Sequence, residues 1–298
     1  MRAVAAWLTA QSWNSVLGLS LSLLLPFAPL LSGAVMVLLV LANGIQRATL
    51  QAIVAVALMA ATFALFGNPV APLLVSALLA WLPVAVMAVV LGRSGSLTLT
   101  LQVTVILAVL AVLGFYIVVG DPAAYWLAKL GEVAAAFEEM GFTQQAAVLE
   151  SQRELIAPQM TMVFVFTSWS ILAMVVVLGY ALYQQLPERA GRFGRFGDLH
   201  FGRVLALAMA VTSLLALVVS AEWLQNLAFV LFAIFWLQGL ALVHWLHSDG
   251  PLPLMVVVAV YVMMPFLNAL LIMVLAVIGY TDAWFDYRPR ITAARKAK

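Results

Sequence analysis

Long runs of uncharged, mostly apolar residues alternate along this chain with short segments that carry the charges. A helix needs about 20 consecutive apolar residues to cross a bilayer, because the hydrocarbon core is about 30 Å thick. The first two of seven such runs are long enough for two crossings each, and the other five hold one each. The runs free of Asp, Glu, Lys and Arg are 3–46, 48–92, 94–120, 155–187, 204–221, 223–248 and 250–281.

The pattern predicts an all-α fold, a polytopic transmembrane helical bundle of about eight to nine spans, as one integral membrane domain over 1–298. Helices satisfy their backbone hydrogen bonds internally, as lipid requires. Breaks are predicted at Pro26–Pro29, where two prolines interrupt helical hydrogen bonding, and at the turn Gly67-Asn68-Pro69. The expected spans are 4–24, 29–43, 49–66, 70–91, 97–119, 158–183, 203–220, 224–246 and 253–280.

Composition agrees with this membrane class. Of the 298 residues, 66% are hydrophobic and 9% are charged, whereas a soluble domain carries about 25% charged residues. Membrane lipid is therefore an expected partner. The sequence contains no cysteine, which excludes disulfides, thiolate metal sites and thiol nucleophiles. The net charge of +2 comes from basic residues in loops, which membrane insertion explains, so we expect no nucleic-acid partner.

Lys and Arg in short loops predict the orientation, because cytoplasmic loops are enriched in them. Counting spans places Arg2, Arg47 and Arg93 on one side, together with the arginines of 189–203. Residues 121–156, with six acids against two bases, fall on the opposite side. We therefore expect a multi-pass protein of a bacterial inner membrane with its N-terminus in the cytoplasm.

The basic C-terminal tail, 284–298, disagrees with this count. Three predicted spans follow the arginine loop, which would place the tail outside the cell. Either the tail is exported, or one late segment does not cross as drawn. The run 252–280 is long and contains Pro265, so it is either one kinked span or two short segments.

Residues 121–156 are predicted to form an extramembrane amphipathic helical hairpin inserted between spans. Asp121 is a favourable N-cap, and Pro122 occupies the first helical position. An apolar stripe recurs at helical spacing: Trp126, Leu130, Val133 and Phe137. The hairpin would lie at the membrane surface; a lid over an outward-facing cavity or a docking site is the alternative.

Amides and hydroxyls within the spans are the candidate ligand-binding groups: Gln238, Asn268, Gln102 and Ser168. Such side chains usually bond across helices, which stabilises packing by about 0.6–2 kcal/mol. The same groups can instead line a small-molecule cavity between helices. Both interpretations stay open for these four residues.

Signatures of enzymes, metal sites and cofactors are missing. His244 and His247 lie at i, i+3 spacing, but zinc normally takes three or four ligands, so an interfacial pair is favoured. No G-x-x-x-x-G-K-[ST] loop or H-E-x-x-H motif is present. The glycine-rich loop at 191–197 lacks the lysine and hydroxyl of a phosphate cradle. Its arginines are better explained by anionic lipid, a contact predicted for Arg189, Arg192, Arg195 and Arg203.

Three segments resemble the YybS-like family of uncharacterised bacterial integral membrane proteins. They are Gln238-Gly239-Leu240-Ala241, the stretch Gly279–Arg288 with its G-x-x-D-x-W-x-x-[FY]-R pattern, and the N-terminal layout that ends in Asn43-Gly44 and Arg47. That family is distantly similar to the substrate-binding subunits of energy-coupling-factor transporters. The resemblance implies capture or transport of a small molecule, with a separate ATPase or energy-coupling subunit as partner.

The stretch Gly279–Arg288 also has a physical interpretation of its own. Asp282 and Asp286 lie one helical turn apart, and Arg288 follows two residues later. The three side chains form either a helix-end clamp, in which carboxylates pair with arginine, or a docking point for a partner protein.

Function is predicted from these observations at the level of a class. The leading hypothesis is a transport-related, small-molecule-binding membrane subunit that works with a separate ATPase module. The alternative is a non-catalytic membrane scaffold for envelope or membrane-complex assembly, which would use the acidic hairpin and the basic loop as contact surfaces.

Overall fold

The computed structural model describes residues 1–25, 27–187, 189 and 191–296, and every regular element within them is a helix. The predicted all-α class is confirmed. The α-helices are α1 Arg2–Ala10, α2 Ser12–Leu24, α3 Ala28–Asn43, α4 Ile45–Leu65, α5 Ala71–Ser94, α6 Leu97–Val119, α7 Pro122–Glu139, α8 Thr143–Ile156, α9 Met160–Tyr183, α10 Gly202–Val219, α11 Glu222–Ala233, α12 Phe235–Ser248, α13 Leu254–Met263, α14 Asn268–Phe285 and α15 Tyr287–Lys296.

Seven helices of the described chain are long and apolar enough to cross a membrane, by length and composition. The structure thus supports a multi-pass helical membrane protein. It does not reach the predicted eight to nine spans, because Leu30–Asn43 and Leu254–Met263 are shorter apolar helices and 4–24 is interrupted. The seven candidates are Ile45–Leu65, Ala71–Ser94, Leu97–Val119, Thr143–Tyr183, Gly202–Val219, Glu222–Ser248 and Asn268–Phe285.

The predicted first span, 4–24, is wrong as a single helix. The chain is extended at Gln11, with φ −142° and ψ 147°, and α1 folds back against α2. Two side chains of α2 bond carbonyls that the break leaves free. Asn14 Nδ2 donates to the Trp7 carbonyl and Ser15 Oγ to the Leu8 carbonyl, each over 2.8 Å. The missing helical bonds are thereby replaced, so the break is tolerated in an apolar setting.

The run 252–280 forms two helices rather than one kinked helix. α13 ends at Met263 and α14 begins at Asn268, with Pro265 in the turn between them. α14 also continues five residues past the predicted end, to Phe285. In the predicted proline break near residue 26, Pro26 lies outside the described residues, and α3 begins directly after Phe27, which has φ 62°.

By internal contacts the chain forms two compact units, Met1–Thr104 with Ser170–Phe196, and Val105–Trp169 with Gly197–Lys298. In the first unit α3 is central. Its residues 34–40 are all buried, and it packs against α2, α4 and α5. Trp81 Nε1 donates to Ser32 Oγ over 2.8 Å, which satisfies the indole inside this apolar core.

In the second unit the rod Glu222–Ser248, made of α11 and α12, is central. In its most apolar window 83% of residues are buried, against 17–44% in the other six candidate spans. α12 packs most closely against α14, where Gly239 and Gly279 face each other. A Cβ at Gly239 would overlap the Leu275 carbonyl, and one at Gly279 would overlap that of Phe235. The two glycines therefore permit direct backbone contact between the helices.

α12 and α14 run in the same direction through this crossing. Gly197 lies against the backbone of Trp245 near the end of α12, since an added Cβ would stand 3.3 Å from the Trp245 Cα. The Gly197 carbonyl also accepts from Arg288, just past the end of α14, over 3.1 Å. Both C-terminal ends therefore meet the segment around Gly197.

Residues 122–156 form two helices that pack against each other, α7 and α8. Asp121 caps α7 as predicted, because its Oδ1 accepts from the Ala124 N–H over 3.0 Å. The predicted apolar stripe needs one correction. Leu130 and Ala134 are buried, whereas Val133 is 45% exposed, so Ala134 takes the place of Val133 on the packed face. The extramembrane location of this pair stays a prediction.

Candidate functional site

A buried polar core joins three segments of the second unit. We use this name for Gln238 on α12, Asp282 on α14 and Arg288 on α15. Gln238 and Asp282 have no solvent exposure. Gln238 Nε2 and Arg288 Nη1 each donate to Asp282 Oδ2 over 2.7 Å. The other carboxylate oxygen accepts from the Tyr287 N–H over 3.1 Å. A buried carboxylate is tolerated here because a guanidinium neutralises its charge and both of its oxygens accept hydrogen bonds.

The carboxylate fixes the direction of each hydrogen bond in the polar core. An ionised carboxylate only accepts, so Gln238 must turn its NH₂ toward Asp282. Its Oε1 then points away and accepts from the backbone N–H of Phe201 over 2.7 Å. Asp282 therefore determines, through Gln238, how the chain entering α10 is held.

Arg288 also donates hydrogen bonds to the segment that leads into α10. Its Nε donates to the Gly197 carbonyl over 3.1 Å and its Nη2 to the Leu199 carbonyl over 3.0 Å. The side chain is 11% exposed. The planar guanidinium thus binds one carboxylate and two carbonyls in a fixed geometry that lysine could not reproduce.

The predicted trio of Asp282, Asp286 and Arg288 is only partly brought together. Asp282 and Arg288 form the ion pair, whereas Asp286 is exposed and ends α14 with φ 48°. This left-handed residue reverses the chain so that Arg288 folds back toward Asp282. The geometry supplies what a helix-end clamp needs; the choice between clamp and docking point stays a prediction.

Two of the segments that carry the family resemblance, Gln238–Ala241 and Gly279–Arg288, contact each other here. Gln238 and Arg288 both bond Asp282, and Gly239 packs against Gly279. The chain matches no family model, no curated protein and no solved structure. The resemblance therefore stays a prediction.

The four predicted ligand residues have different surroundings. Gln238 is fully buried, and its amide donates to Asp282 and accepts from the Phe201 N–H. Ser168 and Asn268 are exposed, and Gln102, in the first unit, is half-buried. Ser168, Gln238 and Asn268 therefore do not line one enclosed cavity, and their role as ligand contacts stays a prediction.

An aromatic stack at the end of α9 holds the arginine-containing loop in the first unit. Tyr183 and Phe193 stack at 5.7 Å with an interplanar angle of 2°, and Tyr180 stacks on Phe193 at 5.9 Å. Tyr180 Oη donates to the Gly194 carbonyl over 2.7 Å and accepts from the Phe193 N–H over 3.0 Å. The Phe193 carbonyl in turn accepts from the Leu97 N–H over 2.9 Å. Both the N–H and the carbonyl of Phe193 are thus hydrogen-bonded, which fixes the loop at this residue.

This loop borders a cleft of about 330 Å³, which we call the arginine cleft. Its polar side carries three arginines, one from α5 and two from the loop. Its apolar side consists of residues of α3, α4 and α5. The lining residues are Val40, Leu41, Ile45, Ala88, Val89, Gly92, Arg93, Tyr183, Arg189, Arg192 and Phe193.

Two of the four predicted lipid-contacting arginines lie in this cleft. The guanidinium of Arg189 stands 5.7 Å from the Tyr183 ring, and that of Arg192 stands 5.6 Å from the Phe193 ring. Arg195 is exposed and does not line the cleft, and Arg203 is exposed at the start of α10 in the second unit. Lipid contact stays a prediction for all four.

The histidine pair is engaged with the chain itself. His244 Nε2 lies 2.9 Å from Tyr261 Oη, and His247 Nδ1 lies 3.2 Å from the Leu252 carbonyl. Within the described part of the chain, no group of three or more His, Cys, Asp or Glu side chains is placed to hold a metal.

Sequence reasoning missed Arg93 as a partner of the loop arginines and missed Asn226 altogether. Asn226 is 3% exposed; it donates to Tyr116 Oη, to the Pro158 carbonyl and to the Glu222 carbonyl, and accepts from the Met162 N–H. Its position in an apolar helix was a signal available in the sequence. For Arg93 and the loop arginines lining one cleft, the sequence offers only a weak signal. That signal is the pair Tyr180 and Tyr183, which precedes the loop arginines.

Proposed function

We propose that this chain is a multi-pass membrane subunit that binds a small molecule for transport. The observation that supports it best is the arginine cleft. Its volume of about 330 Å³ lies within the range of about 300–1,000 Å³ typical of small-molecule sites, which are mostly apolar with a few placed polar groups. Seven helices are long and apolar enough, by length and composition, to supply the membrane-spanning part of such a subunit.

The energy source belongs to another chain in this proposal. The sequence has no phosphate-binding P-loop, so it does not hydrolyse nucleotide by that route. The family resemblance points to a separate ATPase module. The polar core is assigned a supporting role, because its side chains bond one another and the segment 197–201.

Mass spectrometry of the gently purified protein tests this function. The expected result is a retained small molecule together with a co-purifying ATPase, and the double substitution R93Q/R192Q in the cleft should reduce the small molecule retained. R203Q is the matched control, since it removes one exposed arginine outside the cleft. Protein that carries no small molecule and no ATPase under conditions that preserve its fold would refute the proposal.

The proposed location is a bacterial inner membrane with a cytoplasmic N-terminus. The positive-inside argument supports it, with Arg2, Arg47 and Arg93 on the cytoplasmic side. Because cysteine is absent, an R195C variant carries a single thiol. An impermeant thiol reagent should fail to label it in intact cells, and labelling from outside would reverse the orientation.

A scaffold function is the second candidate, and the surface of α7 and α8 favours it. Residues 121–156 carry six acids and two bases, a net charge of −4, and all six acids are exposed. Lys129 is bonded to Glu132 over 2.8 Å, a hydrogen bond that raises the pKa of Lys129. Photo-crosslinking from α7 and α8 should capture a basic partner if the chain is a scaffold, and none if it is not.

A further inference from the structure

The arginine cleft combines a positively charged side with an apolar wall. Helix packing alone does not require these two surfaces to be adjacent. Arg93, Arg189 and Arg192 border one opening, and within the described residues none of them stands within ion-pair distance of a carboxylate. Positive charges that border one opening repel one another. An anion bound among them would relieve that repulsion through charge-assisted hydrogen bonds.

Two of the three arginines are held in position by aromatic rings before any ligand arrives. The rings of Tyr183 and Phe193 support Arg189 and Arg192 at 5.7 and 5.6 Å. Arg192 Nη1 also lies 3.5 Å from Tyr183 Oη. A guanidinium stacked on a ring keeps its N–H edges available for bidentate bonds to an oxyanion. A site with pre-positioned groups loses less conformational freedom on binding than a loose one does.

Backbone donors add to the positive side. Gly44, with φ 82°, separates α3 from α4, and no side chain caps the N-terminus of α4. Ile45 lines the cleft, so the first turn of a 21-residue helix opens beside the arginines. The free N–H groups of such a turn favour an anion.

The opposite wall is apolar. Val40, Leu41 and Ala88 come from the packed faces of α3 and α5, and Val89 is half-buried beside them. The cleft volume of about 330 Å³ lies at the lower end of the range of about 300–1,000 Å³ for small-molecule sites. This is too small for a whole two-chain lipid, but it suits a small headgroup and the first part of one hydrocarbon chain.

We infer that the arginine cleft binds an amphiphilic phosphate, a lipid whose phosphate headgroup sits among Arg93, Arg189 and Arg192 while its chain follows the wall of Val40 and Val89. The inference rests on the proposed function, because it names the ligand class of the same cleft. It differs from diffuse attraction between a basic loop and anionic lipid, since it requires one defined site and includes Arg93.

Stabilisation of helix ends is the competing explanation. Arg93 lies in the last turn of α5, and the loop arginines follow the end of α9, where cations interact favourably with the helix dipole. That effect explains each arginine singly. It does not require three of them to border one apolar-walled opening.

Binding of 1-oleoyl lysophosphatidate to the full chain in mild detergent tests the inference. The probe joins one phosphate monoester to one hydrocarbon chain. Lysophosphatidylcholine has the same chain with a zwitterionic headgroup, and glycerol 3-phosphate has a phosphate without the chain. We expect lysophosphatidate to bind at least about tenfold more tightly than either comparison compound, as one molecule per protein in native mass spectrometry.

Substitutions then locate the site. R93Q and R192Q should each weaken lysophosphatidate binding about tenfold, the factor expected for one charge-assisted hydrogen bond, while R203Q leaves it unchanged. Equal effects of R203Q and R93Q would overturn the inference in favour of diffuse electrostatics. Equally tight binding of glycerol 3-phosphate would overturn the lipid assignment but leave a small-molecule site. Failure of all three compounds, with another small molecule retained from cells, would refute the inference and not the proposed function.

Discussion

Replacing Asp282 by asparagine should destabilise the protein much more than the same change at Asp286. Asparagine preserves the size of the side chain but adds two donor hydrogens. If its NH₂ takes the place of Oδ2, it faces Gln238 Nε2 and Arg288 Nη1; if it takes the place of Oδ1, it faces the Tyr287 N–H. Each orientation sets a donor against a donor, and Arg288 loses its counter-charge.

The magnitude follows from the hydrogen bonds and the ion pair that the substitution disrupts. A hydrogen bond to a charged group contributes about 1.5–3 kcal/mol, and a buried unsatisfied donor costs about 1–3 kcal/mol. Breaking a buried ion pair by changing one partner costs about 3–5 kcal/mol. A destabilisation of about 3 kcal/mol is therefore expected for D282N. For a chain of this size each kcal/mol lowers Tm by about 2 °C, so Tm should fall by about 6 °C.

Thermal unfolding in mild detergent, followed by intrinsic tryptophan fluorescence, measures this change. D286N is the matched control, because Asp286 is exposed and asparagine tolerates its left-handed backbone, with φ 48°. Its Tm should stay within about 1 °C of the wild type. A D282N variant as stable as D286N would refute the clamp reasoning. Normal accumulation of D282A together with lost activity would instead favour the docking point.

Three further predictions follow from packing and topology. G239V should fail to accumulate in folded form by size-exclusion chromatography, because its side chain would enter the Leu275 backbone, whereas G114A, with open space around it, should behave as wild type. N226L leaves several buried groups unpaired and should lower Tm by about 4 °C or more, at about 1–3 kcal/mol for each group. Single cysteines at Asp198 and Lys296 should be labelled from the same side of the membrane, and labelling from opposite sides would contradict the parallel arrangement of α12 and α14.

Much of the helical fold follows from the sequence, because apolar runs bounded by charges have few alternatives to helices. The break at Gln11 was missed because the spans were bounded by charged residues, and the polar stretch Gln11-Ser12-Trp13-Asn14-Ser15 carries no charge. It depends on Asn14 and Ser15 reaching back to carbonyls of α1, a local hydrogen-bonding choice that apolar length does not reveal. The division at Pro265 was open in the sequence because proline either kinks or ends a helix.

The site was less predictable than the helices. If α14 continued as a helix, Asp282 and Asp286 would lie one turn apart on the same face. Instead, the left-handed conformation of Asp286 turns the chain, and Arg288 pairs with Asp282. Gln238 lies 44 residues from Asp282 in the chain, and no local pattern predicts which buried amide meets which carboxylate. Arg93 and the loop arginines come together only through the packing of several helix ends, which one sequence does not specify.

The parallel arrangement of α12 and α14 accounts for the basic tail that the count of spans could not place. Arg288 contacts Gly197, so the tail begins at the same end of the second unit as the segment preceding α10. If α10 and the rod Glu222–Ser248 each cross the bilayer, Ser248 lies on the same side as the segment preceding α10. α14 ends on that side too, so residues 249–267 must first carry the chain to the opposite side. α13 has ten residues, about 15 Å of helix, which is half of a hydrocarbon core of about 30 Å. Non-helical residues of 249–267 must then make part of the return crossing, and irregular backbone is tolerated within a membrane only when protein buries it or water reaches it.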